Sequence, residues 1–179
     1  RKTWPYEASA RVPFIIRAPK SFGFPGEGIC NTPVGLQDIM PTLLDSVGLD
    51  IPSTCTGKTL FPILRGESDR VREVLHGEHS GCYEYEQGHQ FITDGHSKYI
   101  WYTQTGIEQL FNLDEDPNEL HDLALETDSD ISLQPWREKL IEILKVRPEG
   151  FTDGKKLIKG QRHVHLLPGY NPNKTYPFL

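Results

Sequence analysis

The chain predicts an α+β unit: an antiparallel sheet of about four strands with one helix packed across it. Three observations predict it. The β-rich runs 90–93, 98–102 and 108–113 are separated by the turn pairs Asp94-Gly95 and Thr105-Gly106, which reads as a meander. Residues 74–79 add a strand ahead of them. Farther on, Pro135 at a first-turn position opens a helix through Trp136, Leu140, Ile143 and Leu144, which Pro148 ends.

The segment before the sheet mixes one strand with helices. Residues 12–16 are apolar except for Pro13, which suits a strand covered on both faces and ending at Pro19. Phe22-Gly23-Phe24-Pro25-Gly26 marks residues 20–34 as a loop. Leu36, Ile39, Met40, Leu43, Leu44 and Val47 recur at helical spacing and form one apolar stripe. Asp38 suits its N-cap, Pro41 is tolerated in the first turn, and Gly48 suits the stop. Residues 51–57 read as a loop and 59–64 as a short helix ending near Arg65-Gly66. The charged stretch 67–72 is the best boundary, dividing the chain into residues 1–70, 71–147 and an extended tail, 148–179. Past the sheet, Asp116-Pro117-Asn118 is a turn, and Leu120, Leu123 and Ala124 suggest a short helix. The tail, rich in Gly, Pro and basic residues, is expected to wrap an outer surface.

With 36% hydrophobic residues in 179, the chain can build a core but has little to spare. A net charge of −6, without a basic stripe or interleaved aromatic platform, argues against a nucleic-acid partner. No apolar run approaches the length of a membrane span. Cys30, Cys55 and Cys82 are irregularly spaced; a Cys30–Cys55 pairing and free thiols are both open, free thiols being the simpler reading. Asn173-Lys174-Thr175 fits a short, common N-glycosylation pattern.

Three blocks carry a resemblance. The first is Lys2, Tyr6-Glu7 and Arg11-Val12-Pro13, spaced K-x-x-x-Y-E-x-x-x-R-V-P. The second is Asp38-Ile39-Met40-Pro41-Thr42-Leu43-Leu44, and the third Leu110-Phe111-Asn112-Leu113 with Asp116-Pro117-Asn118-Glu119. In this order they resemble the sulfatase family over roughly residues 2–145. The resemblance implies an alkaline phosphatase-like α/β fold overall. Residues 1–70 would then end its catalytic domain, and residues 71–147 would be its C-terminal antiparallel-sheet subdomain. The family's formylglycine motif, C-x-P-x-R or S-x-P-x-R, is absent, and so are its Asp-rich metal motifs. The chain begins within the first block, so it reads as the C-terminal part of a longer sulfatase. The resemblance implies Ca2+ in the intact enzyme, bound outside this chain, and no cofactor in the fragment, which alone should be inactive. It implies two partners: a sulfated small molecule or glycan, and the missing N-terminal part of the same protein. A periplasmic or secreted location is favoured by the family alone.

By the same resemblance Lys2 contacts the sulfate, where a cation stabilises oxygens that gain charge as the S–O bond breaks. Glu7 and Arg11, at i and i+4, read as support for its loop. In His76-Gly77-Glu78-His79, strand alternation puts His76 and Glu78 on one face and His79 on the other, which argues against a zinc pair. The family's segment after this strand approaches the active-site mouth, so His79, Tyr83 and Tyr85 are candidate substrate contacts. His163 and His165 share a face but lack a third ligand, which favours incidental placement. Asp114 and Asp116 lack the Gly and terminal Glu of a calcium loop, so turn chemistry suffices. Lys155, Lys156, Lys159 and Arg162 suit either a basic rim for an acidic glycan or a solvated tail.

Two alternatives stay open: a phosphonate or phosphate-ester hydrolase of the same superfamily, and a non-catalytic carbohydrate-binding module. The module needs an exposed aromatic platform, whereas Trp4, Trp101 and Trp136 fall in stretches that look buried or structural.

Overall fold

A computed structural model of the chain describes residues 3–81 and 84–161. One helical turn, α1 (Glu7–Ala10), opens it. After a 3-10 turn at Lys20–Phe22, a second at Leu36–Asp38 runs into α2 (Ile39–Ser46), and α3 (Phe61–Leu64) follows. Strands β1 (Leu75–His79), β2 (His89–Thr93), β3 (Ser97–Tyr102) and β4 (Glu108–Asn112) pair antiparallel in chain order. A 3-10 turn at Leu123–Leu125 leads to α4 (Ser129–Leu144).

The expected meander of about four strands is present, and its turns have a local cause. Asp94 Oδ1 accepts the amides of His96 at 2.9 Å and Ser97 at 2.8 Å, while Gly95 takes a φ of 96° that favours glycine. Gly106, with φ 76°, closes the next turn by donating to the Tyr102 carbonyl. Register puts Tyr99 opposite Ile92 and Leu110, on the face that α4 covers. There Ile92, Tyr99, Trp101 and Leu110 pack with Leu133, Leu140 and Leu144 of α4. Trp136 and Ile143 are partly buried against them, as the helical spacing predicted. The other face carries Ile100, Tyr102 and Phe111, with Tyr6 and Phe91 packed on them. β3 is therefore covered on both sides, by α4 on one and by the N-terminal stretch on the other.

Past α4 the chain returns over the sheet. Phe151 is buried edge-on against Trp101, ring centroids 6.0 Å apart, and the Gly160 amide donates to the Thr103 carbonyl.

Three expectations are corrected. Residues 12–16 are not a strand: they run as irregular chain, and Val12, Ile15 and Ile16 are exposed. The pattern suits a strand, but a strand needs a neighbour to take its amides and carbonyls, and none of the described strands lies beside it. The C-terminal helix starts at Ser129, not Pro135, which lies inside it. Leu133 packing in the core outweighs the amide that Pro135 cannot donate. Asp38 stands at the N-cap of α2, yet its side chain turns backward to the Gly35 amide at 2.8 Å. The apolar stripe of α2 exists as predicted but faces outward, with Leu36, Met40, Leu43 and Val47 exposed.

Candidate functional site

Stretches next to two predicted contacts meet at one groove, although neither His79 nor Tyr85 is among its lining residues. Trp4 and Tyr6, just after Lys2 in sequence, line one part of it; Glu84, Glu86 and Gln87 of the β1–β2 connection line another. Tyr102 and Gln109 of the sheet also line the groove, whose volume is about 410 Å³. Tyr6 is fixed there, donating its hydroxyl to Gln109 Oε1 at 3.0 Å and meeting Phe111 edge-on at 6.0 Å. Trp4, expected to be buried or structural, is 38% exposed but packs edge-on against Tyr102 at 6.4 Å. Trp101 is buried, as expected. Of the candidate residues, Lys2 and Tyr83 lie outside the described residues, as do Cys82, Arg162, His163, His165 and the 173–175 glycosylation pattern. Tyr85 begins the 3-10 turn Tyr85–Gln87, half out in solvent.

His79 ends β1, and register puts it opposite His89 of β2. The imidazoles stack, centroids 5.5 Å apart and planes 28° from parallel. His89, missed as a candidate, is buried and donates Nδ1–H to the Gln87 carbonyl at 2.8 Å, which leaves Nε2 as the acceptor of the neutral ring. Burial holds its pKa below the ordinary histidine value, and neighbouring His79 pushes the same way. On the opposite side of β1 the expected pair holds. His76 Nε2 lies 2.7 Å from Gln90 Oε1, and Gln90 Nε2 donates to Glu78 Oε2 at 3.2 Å. Arg147 closes this network with two bonds to Glu78, at 3.2 and 3.1 Å. Desolvation of the half-buried His76 lowers its pKa too, so both rings are neutral near neutral pH.

A polar cluster beneath the groove was not legible in the sequence. Lys98, the second residue of β3, has a fully buried side chain. Its Nζ donates to the Pro5 carbonyl at 2.9 Å and sits 2.6 Å from Glu7 Oε1 and 2.9 Å from Glu119 Oε1. Glu7, read with Arg11 as support for the Lys2 loop, lies 3.9 Å from the exposed Arg11 and makes its close contact with Lys98. A lysine flanked by Ser97 and Tyr99-Ile100-Trp101 was the available signal, because an ammonium inside an apolar strand must find a carboxylate.

A second buried hub lies farther off. Asp38 is wholly buried, accepts the amides of Gly35 and Lys58 at 2.8 Å each, and takes both guanidinium nitrogens of Arg72. Burial opposes its ionisation, but Arg72 and the two amides outweigh that and hold its carboxyl below the ordinary range. Asp116, given to turn chemistry, accepts the His121 amide at 2.7 Å. Cys30 and Cys55 are free thiols. Among the described residues no group of three or more His, Cys, Asp or Glu converges to hold a metal, and none of their helices is long and apolar enough to cross a membrane.

Comparison with known proteins agrees with the three-block resemblance. The family model described as N-sulphoglucosamine sulphohydrolase, C-terminal, matches residues 1–145. An arylsulfatase of Clostridium perfringens is 39% identical over 162 residues, which are 89% of this chain and 33% of that protein. Arylsulfatase K of Homo sapiens is 33% identical over 129 residues, 67% of this chain and 23% of that protein. The fold matches part of a solved 2-O GAG sulfatase with a TM-score of 0.55 and 26% identity, over 64% of this chain and 25% of that one. This chain thus spans about a third or less of the curated relatives it matches. With its meander, its crossing helix and the matched residues 1–145, the chain belongs to the C-terminal region of the sulfatase family.

Proposed function

We propose that this chain serves an enzyme that hydrolyses sulfate esters, aryl or carbohydrate, and supplies one wall and one cation of its active site. One observation carries the reading: the stretch directly after Lys2 and the β1–β2 connection, picked out separately in the sequence, line the same groove. Lys2 is the cation directed at the sulfate oxygens. His79, Tyr83 and Tyr85 contact the organic part of the ester. The arylsulfatase relative and the 2-O GAG sulfatase fold support an aryl or glycan sulfate as substrate. In the family a formylglycine supplies the nucleophile and a divalent cation, usually Ca2+, polarises the sulfate; both belong to residues outside this chain. The remainder of the same protein covers the apolar face of α2 and pairs with residues 12–16.

The test is Lys2→Ala in a full-length enzyme, assayed on an aryl sulfate. The expected loss in kcat/KM is about two to three orders of magnitude, typical of one oxyanion donor. An unchanged value removes Lys2 from the site. Parallel assay of a phosphonate monoester separates the sulfatase reading from its superfamily alternative.

A further inference from the structure

The buried cluster under the groove is costly and oddly placed for a purely structural element. Replacing a buried ion cluster with apolar residues of like volume is often neutral or stabilising, so such a cluster is weak evidence of a role in stability. Besides the Phe91 ring, 5.7 Å from Nζ, every hydrogen-bonding or charged partner of Lys98 leads to one short stretch. Nζ holds the Pro5 carbonyl and Glu7 Oε1 directly. Glu119, the other carboxylate, turns back and accepts the Glu7 amide. Glu119 also closes the turn after Asp116, with its amide on the Asp116 carbonyl and a φ of 55°, which a residue with a Cβ adopts at a cost. Its Oε1 faces Nζ at 2.9 Å, buried and without an aligned hydrogen bond. The stretch is therefore gripped by its backbone at Pro5 and Glu7 and by its side chain at Glu7, while Tyr6 between them is tied to Gln109.

We infer that Lys98, Glu7 and Glu119 are positioning residues that register the Pro5–Glu7 stretch on the sheet and thereby set where Lys2 meets the sulfate. The inference rests on the reading of Lys2 given above. A charge contact to a reacting group loses much of its effect when displaced by about 1 Å, so rigidity in the chain leading to it translates into rate.

A double-mutant cycle in the full-length enzyme, with 4-methylumbelliferyl sulfate as probe, tests it. Glu7→Gln is the first variant, because it leaves Lys98 and Glu119 as a balanced pair and spares the fold. It should lower kcat about tenfold, with KM changed less than about twofold. In a Lys2→Ala background the same change should cost less than about twofold, since an absent cation cannot be misplaced. Lys98→Met, assayed where circular dichroism shows it folded, should behave alike. If either fails to fold, Glu119→Gln takes its place in the cycle. Losses that multiply, or a Glu7→Gln enzyme with unchanged kcat, overturn the positioning role and leave the Lys2 reading standing. A Lys2→Ala enzyme with unchanged kcat/KM overturns both.

Discussion

Residues 12–51 and the sheet with α4 are built from similar apolar side chains and treat them in opposite ways. In the first region Ile15 is 89% exposed, Ile29 94% and Leu43 61%. In the second, Ile92, Leu140 and Leu144 show no exposed surface. Helical and strand patterns are present in both, so pattern alone does not decide burial. The sheet region contains its own second layer, since α4 crosses it; the first region presents a stripe on α2 that no described element covers. The first region is held in part by Phe22 and Phe24 resting on Phe61, and in part by the Asp38 carboxylate, which gathers the Gly35 and Lys58 amides and reaches Arg72, close to the start of β1. Burying a leucine needs a partner surface, whereas a buried carboxylate can organise a loop with backbone amides alone.

The contrast can be broken at four points. Lys98→Met should have the largest effect, destabilising the sheet region by about 3–5 kcal/mol, because Glu7 and Glu119 are left together without their cation. Urea unfolding measures it, and Lys98→Met with Glu119→Gln should recover part of the loss. Leu140→Ala should cost about 2–5 kcal/mol as a truncation between α4 and Tyr99. Thermal unfolding that does not shift would put Leu140 outside the core.

Asp38→Asn should cost about 2 kcal/mol by weakening charge-assisted bonds to Arg72 and two amides. Here the regions also separate by pH. The folded pKa of Asp38 lies below its ordinary 3.8, so its contribution is complete above that value and lost as acid protonates it in the fold. His76 and His89 have folded pKa values below their ordinary 6.5, so their neutral burial costs nothing above that pH and penalises the fold as pH falls below it. Hydrogen exchange against pH should therefore show β1 and β2 loosening first, with the Asp38 hub holding to lower pH. The reverse order would refute both assignments. The smallest effect is expected from Leu43→Ala, within about 0.5 kcal/mol in this chain but several-fold larger in the full-length protein, where the proposed partner covers α2. Equal shifts in both would show that α2 has no such cover.

Legibility followed distance along the chain. The strands and their turns were readable because Asp94-Gly95 and Thr105-Gly106 act on immediate neighbours. The helix beginning was misread at Pro135, since proline at N1 is the commoner pattern and the left-handed Asp128 before Ser129 gives no such flag. The apolar pattern at 12–16 suggested a strand that the structure lacks, because a strand needs a neighbour that no local pattern supplies. The Lys98 cluster was hidden for the same reason: Lys98 and Pro5 are 93 positions apart, and Glu7 and Glu119 are 112 apart. The Lys2, Tyr6-Glu7 block and the Asp116-Pro117-Asn118-Glu119 turn were each seen as motifs, but nothing local said that they touch.

Those separations also set an order of assembly. β1 to β4 pair strictly with their chain neighbours, so each step closes a short loop and pays little entropy. Docking Pro5 and Glu7 closes the longest loops in the cluster, and its socket exists only after β3 is paired and Glu119 has turned back. Within this chain the Pro5–Glu7 stretch has its sheet-side socket only once Glu119 has been made. Within this chain the stretch made earlier is thus seated on the sheet later than the strands it rests on.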